Sequence, residues 1–274
     1  LRDRLTGRLP LAYGVSGPLA APLFLPAEVT RLVRVALEAD ITIFDTAPSY
    51  GAGEAERRLG AALRGRDDVV VMTKAGVEAR GVMKRQRDFR PGSIVRSVEA
   101  SLARLARERI DVLWLHGPAP GELTDELLIA LERLATDGKV LGVGVATRDL
   151  GVAALAAKGP FSALMAPSHQ HSFQLPEYRG DLTVFGIECL INVARPQGAQ
   201  FSRGSLWKSL RSLAQNAVPG ASMAMEPPGT APLAAQDAFR QAFEGARCDV
   251  VVATSTKGGR IRQNSEICRS RMTV

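Results

Sequence analysis

The feature that most constrains this chain is a repeated unit: a short apolar run followed by a segment with helical hydrophobic spacing. The runs cover residues 10–16 (PLAYGVS), 41–45 (ITIFD), 69–74 (VVVMTK), 111–116 (DVLWLH), 140–146 (VLGVGVA), 162–168 (SALMAPS), 183–193 and 249–255 (DVVVATS), eight in all. They are continuous rather than alternating and rich in Val and Ile, as strands of a parallel sheet covered on both faces are. Between them, residues 27–39, 54–63, 92–107 and 124–136 carry apolar side chains three or four positions apart, the spacing of a helix with one buried stripe. Pro26 and Pro91 stand where helices begin and Gly138 where one ends, the asymmetry that helix termini favour.

Strand and helix alternating through eight units predict an α/β fold, a closed (β/α)8 TIM barrel, with an open Rossmann-like sheet as the rival. No GxGxxG follows any of the runs, which argues against that rival and its mode of dinucleotide binding. The order weakens after residue 146. Residues 170–181 leave room for one short helix, and residues 195–232 form an extended crossing rich in Gly, Pro and Ser with one amphipathic piece at 205–215. Loops of that length in a compact domain are usually functional covers. The expectation is one domain over residues 1–274, with long loops at the C-terminal rim of the barrel.

Three consecutive runs end on a polar residue: Asp45, Lys74 and His116. In a barrel these ends share one rim, so side chains far apart in sequence converge at its mouth. Tyr50 follows Asp45 by five residues in SYGAG, whose glycines let the chain turn back over that rim. A phenol is a poor acid at neutral pH, and a neighbouring ammonium stabilises its phenolate. Lys74 can supply the ammonium, Asp45 can pair with Lys74, and His116 can donate a hydrogen bond to a substrate oxygen. Metal ligation is not expected, because His169 and His171 lack further ligands nearby and the cysteines show no CxxC spacing.

The stretch FDTAPSYGAGEAERRLGAAL (44–63), followed by MTK and DVLWLH, resembles the aldo-keto reductases, as does LERLATDGKVLGVGVATRD (131–149). The resemblance implies an NAD(P)H-dependent (α/β)8 barrel with a catalytic tetrad at Asp45, Tyr50, Lys74 and His116. It further implies that TSTKGGRIRQNSE (254–266) binds the adenosine 2′-phosphate and adenine through Ser255, Arg260, Gln263 and Asn264. Backbone amides at the start of the following helix, with Ser255, Thr256 and Lys257, are expected phosphate donors, and a guanidinium at Arg260 favours NADPH over NADH. The pattern departs from the family at residues 146 and 147, where Ala146 and Thr147 replace the usual Ser-Asn that holds the nicotinamide amide. Thr147 can still donate one hydrogen bond. The sixth run also lacks the customary Gln.

Tyr13 on the first run and Trp207 on the long crossing are candidate walls of the substrate pocket, while Trp114 and Cys189 read as core. The basic loop 80–90 (RGVMKRQRDFR) follows the run carrying Lys74 and so belongs to the same rim. A net charge of +7 is spread along the chain with only 5% aromatic residues, which speaks against a nucleic-acid surface and suits attraction of an anionic cofactor or substrate. No apolar run reaches the roughly 20 residues of a membrane span. Three widely spaced cysteines fit the reduced thiols of a cytoplasmic protein. The expected function is NADPH-dependent transfer of hydride to or from an aldehyde, ketone, sugar or the matching alcohol. Two rivals use the same residues: a low-turnover NADPH-binding sensor, and a barrel lyase or isomerase working through a Schiff base on Lys74.

Overall fold

The structure, a computed structural model, describes residues 1–80, 84–168, 180–191, 193 and 234–272. Eight parallel strands close into a barrel in the order β1 (Leu11–Gly14), β10 (Val250–Ala253), β9 (Thr183–Ile187), β8 (Ala163–Pro167), β7 (Val140–Ala146), β6 (Ile110–His116), β3 (Val70–Ala75) and β2 (Ile43–Asp45). Each coincides with one of the eight apolar runs, most of them trimmed at the ends. The seventh is shortened most, because the chain leaves the sheet after Ile187 and turns at Glu188, whose φ is 64°.

Alternation along the strands divides the apolar residues into two cores. Ala12, Ile43, Val70, Met72, Val112, Trp114, Met165 and Phe185 fill the barrel, while their neighbours Leu11, Phe44, Val71, Leu113, Leu115 and Val145 meet the helices outside. Trp114 is the largest interior side chain and packs edge-on against Phe185, with ring centroids 5.0 Å apart. The next strand makes room for it: a Cβ on Gly144 would lie 2.4 Å from the Trp114 ring, closer than packed atoms allow.

The outer layer begins with α2 (Pro26–Glu38), α3 (Glu54–Ala62), α4 (Pro91–Leu105) and α5 (Asp125–Thr136), as their hydrophobic spacing predicts. Thr124 caps α5 by accepting from the Leu127 amide at 3.3 Å, and Asp149 caps α6 (Leu150–Lys158) by accepting from Val152 at 3.0 Å, each satisfying an amide that the helix leaves open. After β9 come α7 (Ala235–Arg240), which runs into a π turn at Gln241–Gly245, and α8 (Gly258–Met272). A short N-terminal helix, α1 (Arg2–Leu5), closes the opposite end: Leu1 and Leu5 pack on the interior core, and Arg4 donates to the buried carboxylate of Asp111 at 3.0 Å. Among the described residues no helix is long and apolar enough to cross a membrane.

The basic loop 80–90 differs from its expected form. It is an antiparallel hairpin of β4 (Val77–Arg80) and β5 (Lys84–Arg87), separate from the barrel sheet. Among its paired residues only Val77 and Ala79 are apolar, too few to mark it as a strand pair by pattern alone.

Candidate active site

The C-terminal ends of β2, β3 and β6 bring Asp45, Lys74 and His116 to one cleft of ≈ 750 Å³, which Tyr50 also lines. Strand parity explains the convergence. Ile43 and Asp45, Met72 and Lys74, and Trp114 and His116 are alternate residues on the inward faces of their strands, so each polar residue caps an apolar one beneath it.

Lys74 is held from three directions. Its Nζ donates to both carboxylate oxygens of Asp45 at 2.6 Å and to the Thr46 carbonyl at 2.9 Å, using all three ammonium donors. Lys74 and Asp45 are only 4% and 5% exposed. Burial alone pushes the lysine down, but Asp45, followed by Tyr50, outweighs it and keeps Lys74 above its ordinary value. Burial pushes Asp45 above the usual carboxylate range against the pull of the same ammonium. The three hydrogen bonds therefore fix the Lys74 ammonium in place against Asp45.

Tyr50 sits on the turn after β2, with its amide donating to Ala47 at 3.1 Å and its carbonyl accepting from Ala55 at 3.2 Å. Gly51 and Gly53 follow at φ 62° and 83°, left-handed values that glycine adopts without steric cost, and α3 starts at once. This turn carries the ring to 5.5 Å from the Lys74 ammonium. His116 has its Nδ1 buried with no hydrogen-bond partner among the described residues. Burial, then the charges of Lys74, Arg85 and Arg87, push its pKa down to about 3, so the imidazole is neutral in the physiological range and keeps one N–H to donate.

The rest of the cleft runs past Ala146, Thr147 and Met165 to Thr254 beyond β10. Thr147 is buried and its Oγ1 accepts from the Asp149 amide at 3.0 Å, leaving its hydroxyl proton free to donate. Ser255, Thr256 and Lys257 form the turn from β10 into α8, tightened by the Lys257 amide donating to the Ser255 hydroxyl at 3.1 Å. Arg260 lies exposed in the first turn of α8. Its side chain has no hydrogen bond or ion pair among the described residues, whereas Arg262, Arg269 and Arg271 on the same helix pair with Glu38, Asp40 and Glu244. An unengaged guanidinium beside a helix start suits a phosphate, and Gln263 is exposed on the following turn.

One expected pocket residue lies elsewhere. Tyr13 is not a wall of the cleft: β1 turns Ala12 to the interior, so Tyr13, one residue on, faces the helices. There it packs on Phe44 and donates to the Ser255 carbonyl at 2.7 Å. Asn264, buried where Arg260 and Gln263 are exposed, lines a small pocket together with Tyr13, Ser255 and Ile261. Trp207, His169 and His171 fall outside the described residues. Cys189 is core, as expected, and burial pushes its thiol up, although one side of it borders the cleft.

The sequence reading passed over a layer of support behind Lys74. Glu56, fully buried on α3, accepts from the Thr73 hydroxyl at 2.6 Å and from Arg104 Nε at 2.5 Å, tying α3 and α4 to the strand that carries the lysine. Its signal was a carboxylate sharing a helical stripe with Leu59 and Leu63. It also passed over an ion pair between Arg148, after β7, and Glu188, after β9, both of which line the cleft.

A parallel eight-stranded barrel with Asp, Tyr, Lys and His gathered at its C-terminal mouth defines a recognisable class. The chain belongs to the aldo-keto reductase family, whose sequence model matches residues 23–174. It is 35% identical over 142 residues to a D-threo-aldose 1-dehydrogenase from Pseudomonas sp, a match covering 43% of each chain. It is 35% identical over 129 residues to a 6-dehydroglucose reductase from Agrobacterium fabrum (strain C58 / ATCC 33970), covering 44% of this chain and 43% of the relative. The chain thus spans less than half the length of these curated relatives. In fold it is similar to the holo form of an aldo-keto reductase from Bacillus halodurans, with TM-score 0.73 and 21% identity, covering 94% of this chain and 86% of the other. An aldo-keto reductase from Klebsiella pneumoniae in complex with NADPH gives TM-score 0.64 at 20% identity, covering 95% of this chain and 85% of the other.

Proposed function

We propose that this protein is an NADPH-dependent oxidoreductase that moves hydride between the nicotinamide and a small aldehyde, ketone or sugar, with Tyr50 as the general acid and base. The observation that carries the reading is the Lys74 ammonium, locked by Asp45 and the Thr46 carbonyl 5.5 Å from the Tyr50 ring, in a cleft shared with a neutral His116. When bound, NADPH supplies the hydride. In reduction, the Tyr50 hydroxyl gives its proton to the substrate oxygen, and the nearby ammonium offsets the negative charge that develops on the phenol. His116 donates a hydrogen bond to the same oxygen and orients it, a task for which the neutral imidazole is suited because it adds no competing positive charge. Oxidation of the alcohol runs the proton back to Tyr50. Asp45 acts one step removed, by keeping Lys74 charged and in position.

Thr147 would hold the nicotinamide amide by its one hydroxyl donor, while Ser255, Thr256, Lys257, Arg260, Gln263 and Asn264 would hold the adenosine 2′-phosphate and adenine end. The sugar-directed names of the D-threo-aldose 1-dehydrogenase and the 6-dehydroglucose reductase agree with a small hydroxylated carbonyl as substrate. In Tyr50→Phe, carbonyl reduction should fall by about 10²-fold or more, while NADPH binding, followed by fluorescence titration, persists. Turnover equal to wild type would remove Tyr50 from the mechanism. A second reading, a cofactor-binding sensor of low turnover, draws on Ala146 and Met165, which border the cleft without hydrogen-bond donors. It predicts tight NADPH binding with no oxidation by any aldehyde of a broad panel.

A further inference from the structure

The β4–β5 hairpin carries more positive charge than its own packing uses. In its antiparallel register Val77 opposes Arg87, Ala79 opposes Arg85 and Glu78 opposes Gln86. Arg85 and Arg87 therefore share one face, and Glu78 and Gln86 take the other. Arg87 identifies the first face: it donates to the Gly117 carbonyl at 2.9 Å and to the Glu122 carboxylate at 2.7 Å. Gly117 follows His116 directly and lines the cleft, so this face looks onto the mouth beside His116. The charge of Arg87 is answered by Glu122, and that of Arg90 by Asp88 at 2.6 Å. Arg85 is exposed, and its side chain makes no hydrogen bond or ion pair with any described residue. Arg85 and Arg87 are both close enough to His116 to disfavour its protonation.

We propose that Arg85 binds the carboxylate of a substrate whose carbonyl group is presented to Tyr50 and His116, so that the preferred substrates are aldehydes or ketones bearing a carboxylate remote from the reacting carbon. The inference rests on the oxidoreductase reading of the Tyr50–His116 site and narrows its substrate class. The phosphates of a dinucleotide do not compete for this arginine. β6, on whose end the hairpin is anchored, lies directly opposite β10 in the strand order, and the phosphate-binding turn into α8 follows β10. A planar guanidinium pairs with a carboxylate through two parallel hydrogen bonds, and a cationic arm at the mouth also raises the local concentration of anionic substrates.

The test compares 4-carboxybenzaldehyde with methyl 4-formylbenzoate, which has the same reacting group and no charge, at saturating NADPH. Wild type should favour the acid in kcat/KM. Arg85→Ala should lower the acid-to-ester ratio about fivefold to tenfold, through KM for the acid, and Arg90→Ala should leave the ratio unchanged. A ratio that is the same in wild type and Arg85→Ala, or that falls equally in Arg90→Ala, overturns the proposal. If wild type reduces neither aldehyde, the oxidoreductase reading is decided by the broad aldehyde panel, and calorimetric binding of 4-(hydroxymethyl)benzoate decides the inference separately. Weaker binding to Arg85→Ala than to wild type supports a carboxylate site, and equal or absent binding refutes it.

Discussion

Replacing Asp45 by Leu should cost far more than removing an ordinary contact, because of what it leaves behind. Lys74 is 4% exposed and directs two of its three donors at Asp45, with only the Thr46 carbonyl remaining. Removing one partner of a buried pair typically costs about 3–5 kcal/mol. A ceiling follows from the alternative open to the lysine, which is to lose its proton: from a reference near 10.4 to neutral pH this requires about 5 kcal/mol at roughly 1.36 kcal/mol per unit. The variant should consequently gain stability as pH rises toward about 10, because the unfolded chain then binds the proton that the folded one rejects. Adding Lys74→Met removes the orphaned charge, so the double variant should return to within about 1.5 kcal/mol of wild type or exceed it. Both variants should lose carbonyl reduction. Urea denaturation followed by circular dichroism, near neutral pH and again about two units higher, reads all these values. A loss below about 1 kcal/mol in Asp45→Leu, or a double variant as unstable as the single one, would refute the picture of a tightly held buried pair.

His116 gives a pH prediction. Its folded pKa is down to about 3 while free imidazole titrates near 6.5, so its contribution to stability is present above about pH 6.5 and is lost as pH falls toward 3, at up to about 1.4 kcal/mol per unit. Urea midpoints over this range should fall more steeply for wild type than for His116→Gln, and parallel slopes would reject the assignment. Arg260→Ala should weaken NADPH on the order of tenfold and leave NADH nearly unchanged, as read by fluorescence titration. Equal losses for the two cofactors would argue against the 2′-phosphate contact.

The barrel and three of the four rim residues were legible because both depend on strand periodicity, while Tyr50 was read from the SYGAG turn and the family resemblance. Asp45, Lys74 and His116 each end a continuous apolar run, and in a parallel barrel those ends coincide whatever the distance along the chain. The same periodicity explains the error at Tyr13. Inward and outward positions differ by one residue, and a short run of apolar residues on a strand buried on both faces does not say which parity points inward. The hairpin at residues 77–87 escaped notice because only Val77 and Ala79 are apolar among its paired residues. Glu56 escaped because its partners Thr73 and Arg104 lie on other elements, and no local spacing encodes such a meeting.

The central claim is that the Tyr50 cleft carries hydride chemistry on a carbonyl carbon. It is tested most directly by incubating the protein with 4-carboxybenzaldehyde and NADPH deuterated at both C4 positions, then analysing the alcohol by mass spectrometry. The account predicts one deuterium on the carbinol carbon, formed in step with oxidation of the cofactor and absent with Tyr50→Phe. Alcohol without deuterium, or borohydride-trapped substrate on Lys74 with no oxidation of the cofactor, would contradict it.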